Sequence, residues 1–446
     1  MGDTQASKPL RIAIVGGGIG GLALLLGVLH HADPSIVEPH LYEAAPAFGE
    51  IGAGVGFGPN AVSAMKVINP ELYEAYSRIA ARAPLVEVDG KKKMVWHHCL
   101  MGMEGRGKNH LKSMEKIVSV YNDNRMHSVH RARFLDEMLK FLPDGGKRHS
   151  TFNKRLANLE DMKDGRVKLV FADGSSETAD AVIGCDGVKS RVRQILLAGQ
   201  ANIEPQFSGK YAYRGLIPIE DAVNAIGAGA RTNEMFWGYG GHLVTFSIEQ
   251  GKTFNLVAFT SPKSRKWEHG NSWVVPSTSE EMLEDFEDWC EPVRKLLSLV
   301  PKPDKWALFD HPPASTYHRA GKVCLLGDCA HASTPHQGAG AGMAIEDAAV
   351  MSSLLGAVST FDPSVLENVF AAYDEVRRPR TQKLVETSRD AGTLYDFEKA
   401  DIGDDIEKAR EHTASRYRWI WEFDVSKQCE EAIEIMHKPR PIRLVM

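Results

Sequence analysis

The chain is poor in several things that would otherwise direct its reading. Cysteine is scarce, with six in 446 residues. No two cysteines stand in a C-x-x-C spacing, which argues against zinc-ribbon and thioredoxin-like patterns and leaves reduced, structural thiols. Positive charge is not in excess: 53 Lys and Arg against 58 Asp and Glu leave a net charge of −5 with the signs interspersed. Neither nucleic acid nor an acidic membrane is therefore an expected partner. Long apolar runs are missing too. "LALLLGVL" at Leu22–Leu29 follows a glycine turn and is too short to span a bilayer, so it reads as a buried helix. Ala6 stands where a myristoylation signal needs Ser or Thr, and "RLVM" is no retention signal, so a cytosolic location is expected. His331 and His336 lie five positions apart with no matching acid or cysteine, and no metal site is expected there.

What the chain does have is glycine, 40 residues of it, gathered into turns. "RIAIVGGGIGGLALLLGVLHH" is an apolar strand, a glycine turn and an apolar helix, followed by a second strand that ends at Glu43. Gly16, Gly18 and Gly21 make G-x-G-x-x-G. The first permits the turn, the second lets a pyrophosphate approach the backbone, and the third lets the helix pack on the strand. Glu43, 27 positions after Gly16, can accept from a pair of ribose hydroxyls. At this point NAD and FAD are equally good ligands. "GDCAHASTPHQGAGAGMAIEDA" (Gly327–Ala348) separates them. Asp328 follows a buried strand, where it can reach a ribityl hydroxyl. The Gly338–Gly342 stretch, including Gly340 and Ala341, precedes a helix whose backbone N–H groups can meet the oxygens of a flavin ring. An extended FAD uses both turns, whereas a nicotinamide dinucleotide has no use for the second.

The expected fold is α/β: a Rossmann-like dinucleotide-binding unit interrupted by an antiparallel-sheet unit, with helices at the C-terminal end. The segments assigned to the first unit are 9–85, 105–200 and 305–395; 201–304 forms the second, and 396–446 the helical end. The polar stretch Lys91–Lys116 reads as surface loops and short strands. "ADGS" marks a hairpin, Tyr211–Thr260 alternates like an antiparallel sheet, and helices are expected over Ser279–Leu297 and Glu367–Thr393.

Three motifs together, "GGGIGG", "CDGVKSRVR" and "GDCAHASTPHQGAGAG", resemble those of the FAD-dependent aromatic hydroxylases with the para-hydroxybenzoate hydroxylase fold, nearest the salicylate-hydroxylase-like fungal branch. The likeness runs from about Arg11 to Arg380. It implies FAD contacts at Glu43, Arg131, Asp186, Asp328, Ala341 and the loop containing Gly56. Arg131 also makes sense unaided, at the start of an amphipathic helix where it can hold a phosphate or ribityl oxygen. The resemblance further implies that NADH or NADPH reduces FAD, that O2 adds at flavin C4a, and that the resulting hydroperoxide passes an OH to an electron-rich ring. There is no second G-x-G-x-x-G, in keeping with a nicotinamide that docks transiently.

Such hydroxylation is fast on a phenolate and slow on a phenol, and a phenolic pKa near 10 leaves about 0.1% anion at pH 7. Lowering it by two or three units takes roughly 3–4 kcal/mol, within reach of one arginine. Arg214 in "YAYRGLIP" is the candidate: a cation facing inward from a sheet is costly without an anion to meet it. Tyr239 in "FWGYGGH" is the second, where salicylate-type relatives commonly carry proline. Its hydroxyl beside Arg214 would point to dearomatisation of a substituted resorcinol, while His242 and Trp237 nearby read as structural. Plain, decarboxylative and dearomatising outcomes stay open, as do an epoxidase, a flavin-binding sensor without turnover, and the oligomeric state.

Overall fold

The computed structural model describes residues 8–49, 54–82, 85–88, 90–123, 128–201 and 203–438. The two chain ends carrying the Ala6 and "RLVM" readings lie outside these residues.

Five parallel strands and one antiparallel edge strand form the first sheet, in the order His318–Arg319, Val323–Leu325, Ala181–Gly184, Leu10–Val15, Val37–Tyr42, Ser150–Thr151. The register aligns the strand ends, since Val15 pairs with both Tyr42 and Gly184, and Gly184 with Leu325. The loops that follow, carrying Gly16, Glu43, Asp186 and Asp328, therefore open on one edge, where ligands of parallel sheets bind. The helix Ile19–His31 packs on Gly340–Gly356. They approach so closely that a Cβ on Gly27 would stand 2.5 Å from Ser352 Oγ.

The second sheet has nine strands. Its order is Val274–Pro276, Asp304–Asp310, Gln206–Pro218, Thr253–Thr260, Gly241–Ile248, Glu234–Gly238, Lys91–Met101, Leu85–Val88, with Lys116–Asn122 pairing on Lys91–Met101. Alternation sorts its faces. Tyr211 and Tyr213 turn toward the helices Ser279–Asp285 and Glu291–Ser298, where both hydroxyls bond Asp285. Ala212 and Arg214 turn to the opposite face with Val257, Phe259 and Leu308.

Three expectations change. Lys91–Met101 is a long, largely buried strand, held in parallel pairing by Glu234–Trp237, and not a set of surface loops. Lys116–Asn122 and Lys305–Asp310 join this sheet too, whereas the sequence placed 105–200 and 305–395 in the first unit. The helix expected over Ser279–Leu297 is two helices, because Pro292 fits only the first turn of a new one. The hairpin at "ADGS" and the long helix, Val365–Tyr395, form as read. Beyond it, Ile406–Arg416, Arg418–Trp421 and Val425–His437 are helical, and Trp421 meets Trp96 of the second sheet at 5.2 Å between rings. All six cysteines are free thiols. No helix among the described residues is long and apolar enough to cross a membrane.

Candidate active site

The opening turn is built by close approach. Gly16 has φ +111°, and a Cβ there would stand 2.3 Å from the Cys185 carbonyl oxygen; one on Gly21 would stand 2.0 Å from the Gly16 carbonyl oxygen. Gly18 is the N-cap of Ile19–His31 and no side chain caps that helix end, whose first intrahelical bond runs from Leu22 N–H to Gly18 O. The N–H groups of Ile19, Gly20 and Gly21 thus face an anion-binding cradle. Glu43 is drawn to the same turn, accepting from Gly17 N–H at 2.6 Å and Ala45 N–H at 2.7 Å.

The late turn is held from behind. Gly327 has φ +71°, and its N–H donates to Asp347 Oδ2 at 3.0 Å. Asp347 also pairs with His331 Nε2 at 2.6 Å and accepts from Arg377 Nε at 2.7 Å. The exposed Asp328 follows directly and starts the short helix Asp328–His331. Arg193, fully buried, donates to the Cys329, Ala330 and Pro312 carbonyls at 3.2, 2.8 and 2.9 Å, tying the central motif to the late one. Gly340 and Ala341 open the helix Gly340–Gly356 without a side-chain cap, so a second set of N–H groups faces the same edge.

Asp186 behaves differently from the expectation of a direct ligand. Its carboxylate accepts from Ser190 Oγ at 2.5 Å and from the N–H groups of Arg191 and Val192 at 2.7 and 3.1 Å, and its Cα backs onto Gly16. It shapes the turn. Gly56 ends a short strand paired with Ser128–His130, which leads straight into Arg131 at the start of Arg131–Leu139. That strand lies against the second sheet, since a Cβ on Gly54 would stand 2.4 Å from the Phe246 ring.

Arg131 lies within electrostatic reach of both Asp328 and Arg214. Burial lowers the Arg131 pKa and the Asp328 carboxylate counters it. Burial, with a smaller push from Arg131, brings the Arg214 guanidinium down to about 10. Arg214 lies over the Trp306 ring at 4.5 Å, and its Nε has no hydrogen-bond partner. Arg214, beside a second cation and with an open Nε, calls for an anion.

Tyr239 is not brought to Arg214. It sits in the hairpin turn after Glu234–Gly238, its hydroxyl accepting from Arg106 N–H at 2.6 Å and donating to Arg106 O at 3.2 Å. Arg214 pairs with Val257, which pairs with Val244, whereas the turn carrying Tyr239 lies beyond Gly241, two strands across and several positions along. Sequence reasoning missed Asp347, Arg377 and the buried pair His242–His336. Their partners are far away in the chain, so no local spacing marks them.

A family model described as an FAD binding domain matches residues 300–388. The chain is 40% identical to a 6-methylsalicylate 1-monooxygenase of Aspergillus terreus, over 96% of this chain and 93% of that one. It is 38% identical to a salicylate hydroxylase of Pseudomonas putida, over 97% and 96%. Among solved structures, a salicylate hydroxylase in its substrate complex superposes with a TM-score of 0.82 at 35% identity, covering 95% of this chain and 98% of that one.

Proposed function

As the chain belongs to the FAD-dependent aromatic monooxygenases that include salicylate hydroxylase, we propose that it hydroxylates a hydroxybenzoate-type phenol whose anionic form is held by Arg214. The residues present fit FAD. Two helix starts lack a side-chain cap, with Glu43 bonded to the turn before the first, and Asp328, close to Arg131, in the late loop ahead of the second. In this reading the N–H groups from Gly18 to Gly21 take the pyrophosphate, Glu43 the adenosine ribose, Asp328 the ribityl chain, and the N–H groups of Gly340 and Ala341 the ring. When bound, FAD supplies the activation of O2, with electrons drawn from NADH or NADPH.

The protein must make the substrate ring electron-rich. The observation that carries the reading is the Arg214 guanidinium, half-buried on the cleft face, pressed down to about 10 and with an open Nε. A phenolate or carboxylate placed there is paired with that cation, and the pairing supplies the roughly 3–4 kcal/mol needed to ionise a phenol near neutral pH. Tyr239 is committed to the Arg106 backbone, which removes the second donor that a dearomatising site would use. The names of the relatives support the decarboxylative outcome, an ortho-hydroxybenzoate losing CO2 as the ring gains oxygen. A cytosolic location accompanies this reading.

The test is a screen of hydroxybenzoates for stimulated NAD(P)H and O2 consumption by the flavin-loaded protein, with product mass. Release of CO2 with gain of one oxygen from salicylate or 6-methylsalicylate is expected. Retention of the carboxyl moves the assignment to plain hydroxylation or dearomatisation. Undiminished turnover by Arg214→Ala overturns the phenolate clamp in favour of epoxidation of a non-phenolic substrate.

A further inference from the structure

Away from the two glycine turns, arginines gather around a cavity that the reaction has not used. It measures about 490 Å³, opens where the first unit meets the second sheet, and is lined by Arg78, Arg82, Arg231, Ser247, Gln250 and Gly251 among others. That volume lies in the range of small-molecule sites, about 300–1,000 Å³. Three separate segments supply the arginines. Arg78 lies in the last turn of the helix Pro70–Ile79, Arg82 follows that helix, and Arg231 closes the short helical turn Gly227–Arg231.

Carboxylates balance these cations only in part. Arg231 gives Nη2 alone to Glu220, at 2.8 and 2.9 Å, which keeps Nε and Nη1 for another acceptor. Glu137 comes no nearer to Arg78 than 4.0 Å. Among the described residues Arg82 has no ion pair, and the Ser247 hydroxyl and Gln250 amide have no hydrogen-bond partner. The wall that carries Gln250 is strained. Glu249 and Gln250 take φ of +53° and +59° ahead of Gly251 at +86°, a left-handed run that side chains rarely adopt. Thr253 Oγ1 donates to Glu249 Oε2 at 2.6 Å and steadies the turn. Backbone held in this way clusters at ligand sites.

We propose that the cavity is a second anion site, apart from the FAD groove, that takes the phosphate groups of a small molecule. Guanidiniums arriving from separate segments suit a phosphate, which presents its oxygens around a tetrahedron, better than a carboxylate, which presents two in one plane. Two sources carry that chemistry. One is the pyrophosphate of the nicotinamide donor, and the other is a free phosphorylated effector; only the first rests on the monooxygenase reading above. An anion here also reaches the elements expected to hold FAD. Ala81 N–H donates to Ser128 O at 2.8 Å, and Ser128 Oγ donates to Ser247 O at 2.8 Å. Ser128–His130 pairs with Gly54–Gly56 and runs into Arg131, so one short strand joins the cavity wall to that side. Gln250 lines a smaller cavity too, of about 70 Å³, together with Ile79, His130 and Arg133.

The test titrates inorganic pyrophosphate into FAD-loaded protein by calorimetry, with the flavin spectrum showing that FAD stays bound, in wild type, Arg82→Ala, Arg231→Ala and Arg82→Lys. One site is expected, weakened about tenfold or more by each alanine and less by the lysine, which keeps the charge. No binding by wild type, or equal binding by wild type and both alanine variants, overturns the site. Steady-state kinetics then separate the sources. A KM for NADH or NADPH raised about tenfold with kcat within about threefold, and pyrophosphate competing with the donor, assigns the donor's phosphates. An unchanged KM, with turnover that pyrophosphate alters in wild type and not in the alanine variants, assigns a free effector. In an enzyme that turns over, pyrophosphate that binds yet changes neither is an adventitious ion only, and it overturns the proposal. A wild type that binds pyrophosphate through these arginines but turns over no phenol breaks the substrate reading and supports this site.

Discussion

Arg377, fully buried, and Arg214, half-buried, carry guanidiniums in two different regions, and loss of water ends oppositely for them. Under the first sheet, Arg377 donates to Asp347, Glu346 and Gln428, each at 2.7 Å. Burial works against its charge, but the two carboxylates outweigh it and raise its pKa. On the cleft face of the second sheet, Arg214 has an aromatic ring, a neighbouring cation and an open Nε, and its pKa falls to about 10. A buried charge that is fully matched belongs to the architecture, whereas one left unmatched marks where a ligand must supply the countercharge.

The largest expected effect tests the first half of that contrast. Arg377→Met leaves Asp347 and Glu346 short of a partner and should cost about 3–5 kcal/mol in chemical denaturation; a loss below about 1 kcal/mol would break the distinction. Arg214→Met should leave stability unchanged or raised while lowering kcat/KM for a phenol by about 100- to 1,000-fold, the equivalent of roughly 3–4 kcal/mol. Part of that loss should return at alkaline pH, where the phenol ionises unaided. A variant equally impaired at every pH would argue that Arg214 does something other than hold the anion.

A third measurement sharpens the comparison through a neighbour of another buried arginine, Arg193. Burial, then the Arg193 and His331 charges, push His311 down to about 3. Because the folded pKa is below the unfolded one, the contribution is fully present above about pH 6.5 and declines as pH falls toward 3, by up to about 1.4 kcal/mol per pH unit. The stability difference between wild type and His311→Asn should show this slope, and parallel pH curves would contradict it. The smallest effect belongs to Tyr239→Phe. Its hydroxyl serves the Arg106 backbone at the surface, so kcat/KM should change by less than about threefold. A hundredfold loss would restore Tyr239 to the substrate.

Local chemistry made much of the site legible. Gly16 and Gly21 stand where any Cβ would collide with backbone, and the strand–turn–helix pattern around them is readable residue by residue. The inward-facing arginine on an alternating strand was readable on the same terms. The strand Lys91–Met101 was not. It opens on three lysines and carries His97 and His98 in its middle, and what makes it a strand is parallel pairing with Glu234–Trp237, which leaves no local trace. Asp186 was readable as a conspicuous acid in a turn, but not as the acceptor for the first two N–H groups of Arg191–Leu196, a helix that Ser190 caps.

From its own residues the chain determined where the backbone must turn tightly, which strand faces are apolar, and that two helix starts follow buried strands. Only the tertiary structure decided that Arg131 presses on Arg214, that Tyr239 is spent on Arg106, and that Lys210 meets Asp396 across 186 positions. Turn geometry and alternation are properties of neighbouring residues. Charge partners are set by the register of strands contributed by distant segments, and burial sets the strength of those pairings.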